Sequence, residues 1–237
     1  MPFTIVHVLS SFGLGGQERV ALDLATEQCA AGYDVVAVSL AKDGGPVAAQ
    51  LRLAGARVIE VAKGDGFDLA LMPRLALLFR RERARIVHTH NPQPLIYAAA
   101  PAKAVRARVV HTKHGENPST GRRLQLRKAA ATFVDVFVAV SEATAAAARA
   151  TDESRGRPVR VIANGIDVGR FSVGDLARRS IRRELGIAEG AWVGCVVGRL
   201  CPEKQHEVAI RAVAALTHMG AHLVIVGDGP LRRHLAA

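Results

Sequence analysis

The apolar runs constrain this chain more than anything else in it. Thr4–Ser10, Asp34–Leu40, Ile86–His90, Arg108–Thr112, Asp135–Val140, Ala191–Gly198 and His222–Gly227 are short and rich in Val, Ile and Ala. A strand with one wet face alternates apolar and polar residues, whereas near-continuous apolar runs mark strands covered on both faces. Shorter strands are expected at Arg57–Val61 and Val159–Ala163. Helix-length stretches lie between the strands: Gln17–Ala31, Pro46–Ala54, Asp68–Arg83, Gln93–Val105, Gly121–Phe133, a helix capped by Ser141 and running to Ala150, Asp175–Leu185, and His206–Met219. A last helix is expected after Asp228-Gly229-Pro230, running to Ala237. This alternation predicts an α/β fold with parallel sheets and right-handed crossovers.

Residues 1–168 have room for six or seven strands and form the first expected domain. Residues 169–237 have room for only two strands, and two strands with two helices cover little apolar area. The second domain is therefore expected to be incomplete, continued in a longer two-domain protein or completed by another subunit.

Composition excludes several classes. Apolar residues make up 49% of the 237 and charged residues 22%, which fits a packed globule. Aromatics at 4% are too sparse for base-stacking platforms, and no helix-turn-helix or zinc-finger pattern accompanies the net charge of +11, so no nucleic-acid partner is expected. Cys29, Cys195 and Cys201 form no CxxC pair, and the chain opens without a charged leader or a membrane-length apolar run. A cytoplasmic protein is expected. The basic stretches Leu69–Arg85 and Arg122–Lys128 add the expectation of peripheral attachment to anionic lipid on the inner membrane face, with leucines dipping in.

Three places carry chemistry. Gly13-Leu14-Gly15-Gly16-Gln17-Glu18 follows a strand and opens a helix, so free N–H groups point at whatever lies above. Glu18 stands where a dinucleotide fingerprint needs Gly, which argues against NAD. A tight βα turn and a phosphate or sugar contact both remain open for Gly15 and Gly16. Gly198-Arg199-Leu200-Cys201-Pro202-Glu203-Lys204 leaves a buried strand, and Arg199 and Lys204 can converge across its Pro-bent loop on one anion. One cation at about 4 Å contributes on the order of 4 kcal/mol at an effective dielectric of 20, before desolvation. Two cations and a helix N-terminus can stand in for a metal ion on a leaving diphosphate. His88 and His90 share one strand face with no carboxylate beside them, and are read as cleft or core histidines rather than metal ligands.

Gly15-Gly16-Gln17-Glu18, His114-Gly115-Glu116, Val140-Ser141-Glu142, Val161-Ile162-Ala163-Asn164-Gly165-Ile166-Asp167, Gly198-Arg199-Leu200 with Pro202-Glu203-Lys204, and Val226-Gly227-Asp228-Gly229-Pro230 occur in this order. Together they resemble the retaining glycosyltransferases of family 4, with the GT-B fold. The resemblance implies two Rossmann-like domains facing across a cleft, a nucleotide-diphosphate sugar as donor, and a sugar or lipid-linked glycan as acceptor in cell-envelope or exopolysaccharide synthesis. It implies that Arg199 and Lys204 grip the donor diphosphate. His114 would meet the transferred sugar, Gly15 and Gly16 would approach donor phosphate or acceptor, and Asn164 and Asp167 would shape the interdomain junction. No metal or other cofactor is implied. The chain departs from the pattern in one respect: the family's pair of glutamates seven residues apart is absent, and Glu203 and Glu207 are not that pair. Two other readings remain, a non-catalytic binding module or subunit of a two-chain transferase, and a sugar-nucleotide epimerase of the same architecture.

Overall fold

The computed structural model describes residues 3–42, 44–172 and 174–236. The chain divides into two compact units, Met1–Gly165 and Ile166–Ala237, a division that falls shortly before the expected 168/169 boundary.

In the first unit β1 (Thr4–Leu9), β2 (Asp34–Ser39), β3 (Arg57–Glu60), β4 (Ala84–His90), β5 (Arg108–Lys113), β6 (Val136–Ala139) and β7 (Val159–Val161) form one sheet. It has seven strands in the order β3-β2-β1-β4-β5-β6-β7, and every pairing is parallel. The connecting helices are α1 (Gly16–Ala30), α2 (Gly45–Leu53), α3 (Leu71–Arg81), α4 (Pro92–Ala104), α5 (Gly121–Ala131) and α6 (Glu142–Ala150).

Both sheet faces are buried, as the unalternating strands demand. Leu9, Val35 and Ala37 pack with Ala21, Leu22 and Ala25 of α1 and with Val47 and Leu51 of α2. Val6, Val8, Val87 and Val109 pack with Leu71, Leu75 and Phe79 of α3 and with Leu95, Ala98 and Ala102 of α4. From β1 the chain steps outward through β2 and β3, crosses back, and proceeds from β4 in the opposite direction. The helices that follow β1 and β4 therefore lie on opposite sheet faces, and the carboxyl ends of these two strands mark the switch point where such sheets take ligands.

The register also places the histidines. His7 lies opposite His88, and His90 opposite Thr112, and registered partners in a parallel sheet share a face. His7, His88, His90 and Thr112 thus line one face, and His114 follows Thr112 in the same phase.

In the second unit β8 (Val193–Val197) and β9 (His222–Val226) form a two-stranded parallel sheet. It is accompanied by α7 (Asp175–Glu184), α8 (His206–Ala214) and α9 (Arg232–Leu235). Its buried hydrophobic residues are few among those described, Ile187, Leu200 and Cys201, while Trp192, Val197 and Val226 stay exposed.

Several helix ends differ from expectation, each for a local reason. α3 begins at Leu71 rather than Asp68, because the Asp68 carboxylate accepts from Leu71 N (3.2 Å) and Gly64 N (2.8 Å) and so caps the helix from outside. It stops before Arg83, which turns to φ 50°. α8 ends at Ala214, with a separate 3-10 turn over Thr217–Met219. The last helix follows Asp228-Gly229-Pro230 as expected but is short, Arg232–Leu235, and its expected end at Ala237 lies outside the described residues. Ser141 caps α6 as expected, its hydroxyl accepting from Thr144 N at 3.1 Å.

Among the described residues no helix is long and apolar enough to cross a membrane. Leucines of the basic α3 were expected to dip into lipid. Leu71 and Leu75 are instead buried against the sheet, and only Leu69 and Leu77 of that stretch and Leu126 of α5 remain markedly exposed.

Gly45 holds the start of α2 against the β1 loop. Its φ is +61°, and a Cβ there would lie 2.2 Å from the Phe12 carbonyl oxygen, which accepts from Val47 N at 3.1 Å. Gly45→Ala is expected to cost about 2 kcal/mol, from left-handed strain and backbone overlap. Denaturant unfolding measures it, and an unchanged midpoint would contradict this packing.

Candidate active site

Three loops of the first unit meet at the carboxyl ends of β1, β4 and β5. The first carries Gly15 and Gly16. Gly15 is extended at φ −171° and precedes α1, and a Cβ on Gly16 would meet no atom within 4 Å, so its backbone lies open to a ligand. A Cβ on Gly15 would meet only the Glu18 carboxylate, at 2.4 Å. Glu18 is buried at the first turn of α1, where the helix dipole favours a negative charge. It accepts from the Gln17 carboxamide.

The second loop turns on Asn91. Its backbone sits at φ 65°, ψ 176°, a region almost reserved for glycine. The strain is held by its side chain. Oδ1 accepts from His114 N (2.9 Å) and from Asn117 Nδ2 (3.2 Å), and Nδ2 donates to Gln17 Oε1. Asn91 N donates to Thr112 O at 3.0 Å. One residue therefore ties the glycine loop to the third loop, which starts at His114.

The imidazoles of His7, His90 and His114 form a chain. His7 Nε2 meets Gln28 Oε1 of α1 at 2.7 Å, His7 Nδ1 meets His90 Nε2 at 3.0 Å, and His90 Nδ1 meets His114 Nε2 at 2.9 Å. His88 stacks on His90 with ring centroids 4.2 Å apart and bonds Thr112 Oγ1 at 2.7 Å. Burial pushes every one of these rings below the ordinary imidazole range, with neighbouring imidazoles adding to it at His88 and His90. His114 falls to about 4 by burial, and His111, on the other sheet face, to about 3 by burial and the nearby Lys113 charge. All are neutral at pH 7. His7, His88 and His90 bring ring nitrogens within 4.8 Å of one another, the one such grouping among the described residues. Stacked rings do not aim their in-plane lone pairs at one point, and the His7–His90 nitrogens already face each other in a hydrogen bond, so the set does not fit a metal ion.

Beneath His114, Lys113 and Glu153 form a buried ion pair at 2.8 Å, with Arg127 3.7 Å from the same carboxylate. Arg127 also donates to Asn117 O at 2.6 Å, which anchors the third loop from below.

The remaining expected residues lie elsewhere. Asn164 is in an exposed segment at the end of the first unit. Asp167 is in the second unit, where its carboxylate accepts from Gly169 N (3.0 Å) to cap a 3-10 turn over Val168–Phe171. Arg199 and Lys204 are exposed on the loop leaving β8, Lys204 ending a 3-10 turn over Pro202–Lys204. Neither makes an ion pair among the described residues. The Glu203 carboxyl is held below its usual range by hydrogen bonding from Cys201 and from its own backbone, with smaller help from the Arg199 and Lys204 charges. The Lys204 stem lies over Gly198. The loop is clamped backbone to backbone on the loop after β9. Gly198 N donates to Val226 O and Leu200 N to Asp228 O, both at 2.9 Å, and a Cβ on Gly227 would fall 1.9 Å from Gly198 O.

Sequence reasoning named His114, Gly15 and Gly16, which the fold gathers at one sheet edge, and Arg199 and Lys204, which share one loop. It did not name His7, Gln28, Asn91 or Asn117. His7 carried a signal, a lone imidazole in an otherwise apolar strand, and Asn91 another, a strand ending in Asn-Pro. Gln28 carried none.

Residues 14–170 match the family model of Glycosyltransferase Family 4, and residues 177–237 that of Glycosyl transferases group 1. The D-inositol 3-phosphate glycosyltransferase of Actinosynnema mirum is 43% identical over 77 residues, covering 30% of this chain and 18% of that protein. The UDP-Gal:alpha-D-GlcNAc-diphosphoundecaprenol alpha-1,3-galactosyltransferase of Escherichia coli is 26% identical over 185 residues, 71% of this chain and 46% of that one. Among solved structures, Alr3699/HepE of Anabaena in complex with UDP and glucose superposes with a TM-score of 0.79 at 20% identity, covering 98% of this chain and 63% of that chain. The chain thus spans less than half the length of these curated relatives. The α/β fold is of the GT-B type.

Two outcomes follow from the geometry. The unfolded chain protonates its histidines near pH 6.5, whereas His114 and His111 resist until about 4 and about 3. The unfolded state then binds more protons throughout that window, so stability present above pH 6.5 is lost on acidification, by up to about 2 kcal/mol for each of these two rings at pH 5. Thermal melts at pH 7, 6 and 5 should show a falling midpoint, and a flat or rising one would contradict buried neutral rings. At Asn91, Asn91→Gly should be about 1–2 kcal/mol more stable than Asn91→Ala, since alanine keeps the strain and loses the anchors. Equal stability would show that the backbone there is unstrained.

Proposed function

The chain belongs to glycosyltransferase family 4, and from that premise we propose that it takes part in moving a sugar from a nucleotide-diphosphate sugar to a sugar or lipid-linked glycan acceptor. The observation that carries this reading is the β8 loop, with Arg199 and Lys204 exposed at a strand's carboxyl end on a rigid backbone clamp. Departure of a nucleoside diphosphate is the step that develops negative charge, and two cations carried on one clamped loop can stabilise that charge. The same argument supports a reaction that proceeds without a metal ion or other cofactor.

On this reading Gly15 and Gly16 present open backbone to donor phosphate or acceptor, and His114 meets the transferred sugar. Asn164 and Asp167 shape the chain between the units. The diphosphate leaves on the face where the acceptor hydroxyl enters, so configuration is retained. The Escherichia coli relative, whose name includes alpha-D-GlcNAc-diphosphoundecaprenol, supports a lipid-linked acceptor, and a lipid-linked acceptor would suit cell-envelope or exopolysaccharide synthesis. The Anabaena structure, named for bound UDP and glucose, supports a uridine donor.

Isothermal titration with UDP, GDP and ADP tests the core of the proposal. Arg199→Ala and Lys204→Ala should each weaken nucleoside diphosphate binding about tenfold, equivalent to about 1.4 kcal/mol, and EDTA should leave binding unchanged. Equal affinity in all three proteins would remove both residues from the donor site, and loss of binding in EDTA would bring a metal into it.

A further inference from the structure

We propose that Gln28, His7 and His90 are positioning residues that form a one-way hydrogen-bond wire, fixing His114 as the Nε2–H tautomer with a bare acceptor at Nδ1. The argument runs from α1 inward. Gln28 Oε1 is a carbonyl oxygen and can only accept, so His7 Nε2 must donate to it. A neutral imidazole has one N–H and one lone pair, which leaves His7 Nδ1 as acceptor. His90 Nε2, 3.0 Å away, must therefore donate to it, and His90 Nδ1 becomes an acceptor in turn. His114 Nε2, 2.9 Å from that nitrogen, must donate, and His114 Nδ1 is left with the lone pair. Reversing any one ring would set two N–H groups or two lone pairs face to face, so all three rings hold their direction together.

Three further observations agree with this assignment. Burial keeps His7, His90 and His114 neutral, and a wire of this kind requires neutral rings. Within the line of His7, His90 and His114, Nδ1 of His114 is buried and is the one ring nitrogen without a hydrogen-bond partner, as a terminal lone pair requires. Finally, His114 is held at its backbone as well, through its N–H to Asn91 Oδ1, so ring direction and ring place are set by separate contacts.

The consequence is a polarity for whatever His114 meets. A bare Nδ1 accepts and cannot donate, so its partner must bring an O–H or N–H. This last step rests on the glycosyltransferase reading, in which the partner is a hydroxyl of the transferred sugar. The wire itself does not depend on that reading, and its test needs no substrate.

The test is the two-bond proton–nitrogen correlation spectrum of histidine side chains in the 15N-labelled protein at pH 7. The His114 pattern is assigned by its loss in His114→Gln. His114 should show a protonated Nε2 and an unprotonated Nδ1, with the Nε2–H form in at least tenfold excess. Gln28→Met changes a half-buried residue of α1 and removes the terminal acceptor; it should bring the two His114 tautomers to within about threefold of each other at an unchanged melting midpoint. His90→Asn, which keeps an acceptor beside His114 Nε2, should retain the excess. An Nδ1–H tautomer in the unaltered protein would overturn the proposal, as would a Gln28→Met spectrum identical to the parent. Stoichiometric uptake of zinc by His7, His88 and His90 would overturn it as well, since those lone pairs would then serve an ion. Absence of nucleoside diphosphate binding by the unaltered protein, with this tautomer pattern intact, would reject the donor-site reading and leave the wire standing.

Discussion

The pairing of β1 with β4 is the contact on which the candidate site depends. Parallel strands need long crossovers, and burial on both faces leaves those crossovers no route but over helices. Because the chain leaves β1 in one direction and β4 in the other, their helices go to opposite faces while Gln17 and Asn91 meet at the carboxyl ends of the two strands. The glycine loop, Asn91 and His114 fall at this edge as a result of strand order. The same pairing sets His7 opposite His88 and so begins the line of imidazoles.

Placing that many rings inside a sheet layer has a cost in versatility. Each buried imidazole gives up its charge near neutral pH, and with it the cationic role histidine often plays. What is gained is direction, since neutral rings in contact must agree on where their protons sit. Arg199 and Lys204, the cations of the proposed donor site, are by contrast exposed on a loop of the other unit.

Much of the architecture could be read from residue pattern alone. Val, Ile and Ala runs without alternation announced buried parallel strands, and the order of short motifs announced the family. Gly15, Gly16 and His114 were legible because loops after parallel strands are where ligands meet such folds. Asn91 was not, because a strained φ is a property of closure against Gln17 and Asn117, which are distant in sequence. Gln28 was illegible for a similar reason. It looks like any polar residue on a helix until the sheet brings His7 beneath it. The end of α3 was misjudged because Asp68 fits a helix by pattern, yet spends its carboxylate on capping.

The ion pair of Lys113 and Glu153 bears on how this sequence can change over generations. Both side chains are almost wholly enclosed, 1% and 2% exposed, so deleting Glu153 strands the Lys113 charge away from water, whereas deleting Lys113 leaves the carboxylate with Arg127 alone, 3.7 Å away. Such a loss costs about 3–5 kcal/mol, a large part of the stability of an ordinary domain, whereas exchanging both for well-fitted apolar residues is close to neutral. A lineage carrying this pair is therefore held at two sites jointly, with every single-step departure descending into a fitness valley. Because Lys113 immediately precedes His114, the same enclosed pair also pins the end of β5 from which that imidazole projects.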